Sequence, residues 1–169
     1  MPFIKTDVKE LELAPVKAIG ENWGILTGTD SLGNFNSMTV SWGGVGVLWS
    51  KPSVFVFVRP GRHTFRFTED GEFFSLALMP EGYHEKMAVF GSKSGRDCDK
   101  YKESGFTAAD ENGVKYPEEA EIVFICKKSA AGDIEPSWFI DPEIDGKNYP
   151  RKDYHRMYVG EIVTCLRKI

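Results

Sequence analysis

From Trp23 the chain alternates apolar with polar or small positions through WGILTGTD, breaks at Asp30-Ser31-Leu32-Gly33-Asn34, and alternates again from Asn36 to Trp42. A period of two marks a strand, and a polar, glycine-bearing break between two such runs predicts a hairpin. Gly43, Gly44 and Gly46 read as a glycine-rich connection, where the backbone adopts φ > 0 or approaches something closely. Lys51-Pro52 marks a turn before SVFVFVR, which is apolar on both faces and belongs in a sheet centre or barrel wall.

TFRFTEDG predicts a short helix with Thr64 as N-cap and Gly71 as its stop. EFFSLALM is a strand, and EGYHEKMAVFG sets Tyr83, Met87 and Phe90 at helical spacing up to Gly91. A short helix follows from Asp97 to Ser104, then a strand in AEIVFICKK. DIEPSWFI reads as another strand whose start Pro136 demotes to an edge or bend, IDGKNYPRKDYH as a loop, and RMYVGEIVTCLRK as a long closing strand. The lead, with Leu11, Leu13 and Val16 as its apolar cluster, forms an opening strand or an arm docked on a partner. About six or seven strands and two or three short helices, not in βαβ order, predict an antiparallel β-barrel with helical insertions. With 169 residues and no linker or repeat, residues 1–169 are expected to form a single domain.

Composition narrows the function. Aromatics reach 13%, with twelve Phe and four Trp, which suits a β-rich core or a stacking site. A net charge of -4 and a pI near 5.5 exclude a general nucleic-acid binder, so any anion site must be local. The sequence has no apolar run of transmembrane length, and its N-terminus lacks a signal-peptide core. Cys98, Cys126 and Cys165 form no CxxC pair, which makes a reducing cytoplasm the expected location. Cys126 and Cys165 sit in apolar runs as inert thiols, and Cys98 in a charged, exposed segment. His63, His84 and His155 lack metal-ligand spacing, and neither GxSxG, Walker A nor GxGxxG occurs.

The chemistry-bearing groups cluster between Asn36 and Thr64. The turn Arg59-Pro60-Gly61-Arg62-His63-Thr64 joins a buried strand to a helix N-terminus, where unpaired N–H groups and planar guanidinium forks suit phosphate. The same residues also suit a solvated turn with a capping threonine. Ser37, Thr39 and Ser41 share one strand face, and Asn36, Met38, Val40 and Trp42 the other. Polar groups on both faces can hydrogen-bond a heteroaromatic ring and its tail, or can simply mark an edge strand. Trp42, Trp49 and Trp138 offer stacking surfaces, although large aromatics more often belong to the core.

The run NSMTVSWGGVGVLWSKPSVFVFVRPGRHT, followed by EFFSLALM and GSKSGRDCDKYKESGFT, resembles the flavin reductase-like proteins, and within them the flavoredoxin-type branch. The likeness extends from about Trp23 to the closing strand and is weaker from Ala108 to Tyr154. It implies a mainly β fold, a Greek-key split β-barrel (the FMN-binding split barrel) with short helical insertions, forming a homodimer with one FMN per subunit. Asn36, Trp42, Thr64 and Lys100 stand at positions similar to the family's flavin contacts. Ser37, Met38, Thr39, Ser41, Arg59, Arg62 and His63 lie in its phosphate- and ring-cradling segments. Cys98 inherits no flavin role.

Flavin chemistry asks for a small donor near N5, which the Thr64 hydroxyl or a backbone N–H of its turn supplies. It also favours a cation near N1 and the C2 carbonyl, for which Lys100 is a candidate, there or at the O4 edge. No catalytic acid or base is needed, because the isoalloxazine performs the redox step. The resemblance therefore implies an FMN-dependent oxidoreductase, a flavin reductase or flavoredoxin-like carrier. It would take hydride from NAD(P)H or electrons from a redox partner protein, with neither nucleic acid nor membrane as partner. A flavin-binding module without turnover and a structural dimer on the same barrel are the other readings.

Overall fold

The computed structural model describes residues 2–169. In chain order the strands are β1 (Phe3–Lys5), β2 (Gly24–Thr29), β3 (Phe35–Val40), β4 (Gly43–Leu48), β5 (Lys51–Val58), β6 (Phe73–Leu78), β7 (Ala108–Glu111), β8 (Val114–Pro117), β9 (Ile122–Asp133) and β10 (Arg156–Lys168). Among the described residues four α-helices intervene, α1 (Thr64–Asp70), α2 (His84–Ser92), α3 (Lys100–Ser104) and α4 (Pro142–Asn148), with a π-helix at Val16–Glu21 and 3-10 turns at Val8–Glu10 and Pro136–Trp138. The fold is mainly β, as expected.

The large sheet runs β3-β2-β6-β9-β10-β5-β4, with β1 added along β10, and every pairing in it is antiparallel. Its two ends, β3 and β4, are consecutive in sequence and joined only by Ser41 and Trp42. Three peptide steps from Val40 to Gly43 span at most about 11 Å. The sheet must therefore curl until its first and last strands meet, which makes it a barrel with a seam.

Alternation along the strands sorts two cores. Leu26, Met38, Val40, Val54, Val56, Val58, Leu76, Phe124 and Tyr158 point into the barrel. Ile25, Ala77, Val123 and Ile125, one position out of phase, pack outside it against Met87 and Phe90 of α2 and Tyr101 of α3. A β7–β8 hairpin covers the same outer face through Val114 and Tyr116.

Several local expectations change. The glycine-rich stretch is not a connection but strand β4, paired with β5 from Gly43 opposite Val56 to Leu48 opposite Lys51. The turn comes earlier than Lys51-Pro52: Trp49 and Ser50 both take positive φ (51° and 60°), the left-handed pair that suits a two-residue hairpin. Pro52 sits in β5, where it forgoes one ladder donor. That strand is fully buried only on its valine face, since Phe55 and Phe57 stay partly open.

Thr64 is the first residue of α1 rather than its cap. His63 holds the cap position without a side-chain hydrogen bond. Asp99 does cap α3, accepting from the N–H groups of Tyr101 and Lys102, so that helix starts three residues later than expected. The segment DIEPSWFI is not a separate strand. β9 runs through to Asp133, and a single 3-10 turn at Pro136–Trp138 follows. The expected loop 144–155 opens inside α4, which Asp141 caps and which has Pro142 in its first turn. The lead supplies strand β1, and Leu11 and Leu13 pack on the inner core, while Val16 is exposed.

Gly71 does end α1, but not through a left-handed turn: its φ is -71°. A Cβ there would lie 1.9 Å from the Thr29 carbonyl oxygen, so β2 passes too close for any side chain. Gly71→Ala is expected to destabilise the fold by roughly 1–3 kcal/mol, read as a lower denaturation midpoint. An unchanged midpoint would contradict the close approach of β2 and α1.

Candidate functional site

A cleft of about 230 Å³ opens at the barrel seam. The end of β3 supplies Met38, Thr39, Ser41 and Trp42, the end of β5 supplies Phe57 and Arg59, and Arg62 and His155 complete it. Strand period places Phe57 and Arg59 on one side of β5, so the arginine follows the aromatic into the same space. Trp42 stands 48% exposed beside His155, with ring centroids 5.2 Å apart. Trp49 and Trp138 are exposed as well. The expectation that large aromatics go to the core thus fails for all three. Each lies in a turn or connection at the sheet margin, where no second layer covers it.

A second pocket of about 190 Å³ adjoins at Arg62 and is lined by Gly61, His63, Gly91, Ser92, Lys93, Ser94, Arg96 and Lys100. Lys100 is only 5% exposed, and its Nζ donates to the carbonyls of Ser37 (3.0 Å) and Phe90 (3.1 Å). Arg62 donates to Phe90 O (3.0 Å) and Gly91 O (3.1 Å). Both cations thereby satisfy the negative C-terminal end of α2. Lys93 pairs with Glu103 and Arg59 with Asp153, but among the described residues Arg62, Arg96 and Lys100 have no carboxylate partner.

The electrostatic result is a net positive potential, offset in part by Glu103 at Lys93 and by Asp97 near His63. Burial pushes Lys100 down to about 8, and the neighbouring Arg62 adds to the effect. Burial, then the charges of Arg66, Arg96 and Lys100, lowers His63. The His63 Nδ1 is buried without a hydrogen-bond partner. At the seam, burial and Arg59 bring His155 down to about 4, so it is neutral near pH 7, with Nδ1 hydrogen-bonded to the Tyr149 hydroxyl at 2.8 Å.

The sequence-predicted residues divide into two groups. Met38, Thr39, Ser41, Trp42, Arg59, Arg62, His63 and Lys100 line the two pockets. Asn36, Ser37 and Thr64 lie behind the wall. The Asn36 Nδ2 donates to the Thr64 hydroxyl at 2.7 Å, and Thr64 is 1% exposed. Ser37 bonds to the hydroxyls of Thr27 (2.7 Å) and Tyr101 (3.1 Å). Thr39 reaches the cleft but donates to Met87 O at 2.6 Å, tying β3 to α2. Gly95 is seated on this wall: a Cβ there would lie 2.0 Å from Asn36 Oδ1 and 3.1 Å from His63 Cδ2. Sequence reasoning missed Phe57, Arg96 and His155. The two-residue period leading to Arg59 could have found Phe57. Nothing in the pattern marks the lone His155.

A curled antiparallel barrel with an aromatic cleft at its seam and a basic pocket beside it has the architecture of a split barrel. Residues 18–168 match the family described as the flavin reductase like domain, and the chain belongs to that family. Solved structures share the fold. The FMN-binding protein from Thermus thermophilus with bound p-hydroxybenzaldehyde superposes with a TM-score of 0.68 at 18% identity, over 98% of this chain and 82% of that one. Flavoredoxin of Desulfovibrio vulgaris (Miyazaki F) gives 0.66 at 20% identity, over 98% and 77%. The styrene monooxygenase flavin reductase from Pseudomonas putida S12 gives 0.63 at 16% identity, over 87% and 79%. A search of curated protein sequences finds no match. No helix among the described residues is long and apolar enough to cross a membrane.

The basic pocket carries a pH prediction. A bound dianion favours the ammonium form of Lys100, whose folded value of about 8 lies below its ordinary 10.5. The cost of burying that charge is full below pH 8 and is relieved as pH rises toward 10.5, while anion affinity falls over the same window. Inorganic phosphate is expected to raise the Tm at about pH 7 and to raise it less at about pH 9. An equal gain at both would remove Lys100 from the anion site.

Proposed function

We propose that this chain binds FMN, with the phosphate in the basic pocket and the isoalloxazine along the seam cleft, and that it works as an oxidoreductase. The observation that carries the reading is a pair of cations, the buried Lys100 and the half-buried Arg62, without carboxylate partners among the described residues and joined through Arg62 to a cleft walled by Trp42 and Phe57. The donor set fits the group. Guanidinium and ammonium groups with Ser92 and Ser94 suit a phosphate dianion, and the unpartnered His63 Nδ1 adds one polar atom without a mate. FMN, when bound, supplies the hydride and electron chemistry.

The chain's own residues position and charge the site. Arg62 and Lys100 hold the phosphate end, while Trp42 and Phe57 bound the flat end and exclude water. Because Thr64 is 1% exposed, with its hydroxyl turned to Asn36, the donor to the ring edge falls to the backbone N–H of His63. Asn36 and Thr64 then act by fixing that turn, and Lys100 serves the phosphate rather than the ring. His155, neutral and oriented by Tyr149, presents an uncharged imidazole at the cleft. The electron source is NAD(P)H or a redox partner protein. The working unit is a homodimer, for which the exposed Val47 and Trp49 at the β4–β5 turn offer a surface.

The test is an absorption spectrum after mixing with FMN and desalting. Flavin bands near about 370 and 450 nm are expected to persist. Riboflavin, which lacks the phosphate, is expected to be held about tenfold or more less tightly, and Lys100→Met to narrow that gap. Equal retention of FMN and riboflavin by the wild type would refute the phosphate assignment. Thr64→Ala leaves the buried Asn36 amide with only the long 3.4 Å bond to Ser37 O and is expected to cost about 1–3 kcal/mol of stability. Stopped-flow mixing then separates donors, since bleaching by NADH or NADPH identifies a reductase and its absence a partner-fed carrier.

A further inference from the structure

We propose that the apolar cleft beside Trp42 is a second binding site, for a planar, uncharged aromatic molecule bearing a hydroxyl donor: the chemistry of a phenol or hydroquinone. This cleft of about 340 Å³ is lined by Trp42, Phe57, Phe139, Ile144, Asn148 and Tyr149, among others. It shares Trp42 and Phe57 with the seam cleft, so an occupant lies directly beside whatever fills the latter. The inference deepens the FMN reading by naming the class of the second reactant, but the binding it describes stands on its own residues.

The wall suits a flat molecule and is already ordered. Phe139 and Tyr149 stack with centroids 5.8 Å apart and planes 27° from parallel. Tyr149 is fixed at both ends, by its hydroxyl on His155 Nδ1 (2.8 Å) and by the Arg59 guanidinium 5.0 Å over its ring. A wall ordered in advance loses little entropy when a ligand arrives. The polar side chain in the lining is Asn148, whose Nδ2 donates to Ile144 O at 3.0 Å. That leaves its Oδ1 as an acceptor and one amide hydrogen as a donor, a pair that a hydroxyl, able both to donate and to accept, matches and an ether oxygen matches only in part.

Charge argues against a dinucleotide here. No lysine or arginine lines this cleft. Arg59, whose guanidinium lies over Tyr149, is committed to Asp153 (2.9 Å) and to the carbonyls of Asn148 (2.9 Å) and Asp153 (3.3 Å). A diphosphate would find no counter-charge, whereas an uncharged ring loses nothing by entering.

Calorimetric titration of the flavin-free chain with 2-naphthol tests this. Saturable binding is expected, about tenfold weaker for 2-methoxynaphthalene, which lacks the donor, and uncontested by NADH. Ile144→Lys, at the exposed rim, is expected to weaken 2-naphthol about tenfold while FMN retention is unchanged. Asn148→Ala is expected to erase the preference for naphthol over its methyl ether. Absence of saturable heat, or heat unaltered in Ile144→Lys, overturns the proposal. So does a cleft that takes no naphthol while Ile144→Lys splits a dimer in the ultracentrifuge, which makes it a contact between two copies. Naphthol binding by a chain that retains no FMN supports this site and sinks only the flavin reading.

Discussion

Lys100 holds its Nζ between the carbonyls of Ser37 on β3 and Phe90 in α2, and it is itself the first residue of α3. One ammonium thus ties two helices to the edge of the barrel. Arg62 joins the same junction from the basic turn, donating to Phe90 and Gly91. Taking a cation out of water is costly, and the cost is met here by backbone carbonyls and the negative end of a helix rather than by a carboxylate. The choice has two effects at once. It fixes the outer layer of the fold, and it leaves net positive charge at the mouth of a pocket. A carboxylate partner would have served the first purpose and cancelled the second.

Much of the barrel was legible because its strands obey a two-residue period with distinct faces. The β2–β3 hairpin, β6 and the closing β10 all follow from alternation and turn chemistry. Reading failed where local composition and tertiary demand disagree. Gly43, Gly44 and Gly46 look like a linker, yet β4 pairs along β5, since edge strands need fewer packed side chains. The β7–β8 hairpin turns on Asn112-Gly113, both at positive φ, a strong hairpin signal that lay inside a polar stretch and went unread. The segment around DIEPSWFI has strand-like residues, but its partner edge is already occupied: β10 pairs with β9 on one side and β5 on the other.

The candidate site was legible in outline and not in depth. Residue type and spacing drew attention to the polar strand and the basic turn, and both border the two pockets. Which of those groups face the cleft depends on contacts far away in sequence. Thr64 is consumed by Asn36, and Ser37 by Thr27 and Tyr101, 64 positions along the chain. Lys100 could be placed near the site by likeness alone. Its lack of a carboxylate partner, which gives it its electrostatic meaning, is a property of three-dimensional packing.

The two-residue link across the seam has a mechanical consequence. Ser41 and Trp42 join the first and last strands of the sheet covalently, so they act as a tether whose length caps how far the barrel can part. The limit applies at the Val40–Gly43 end of the seam and slackens toward Phe35 and Leu48, where no covalent link joins the two strands. The barrel is in this sense a jaw pinned at one end.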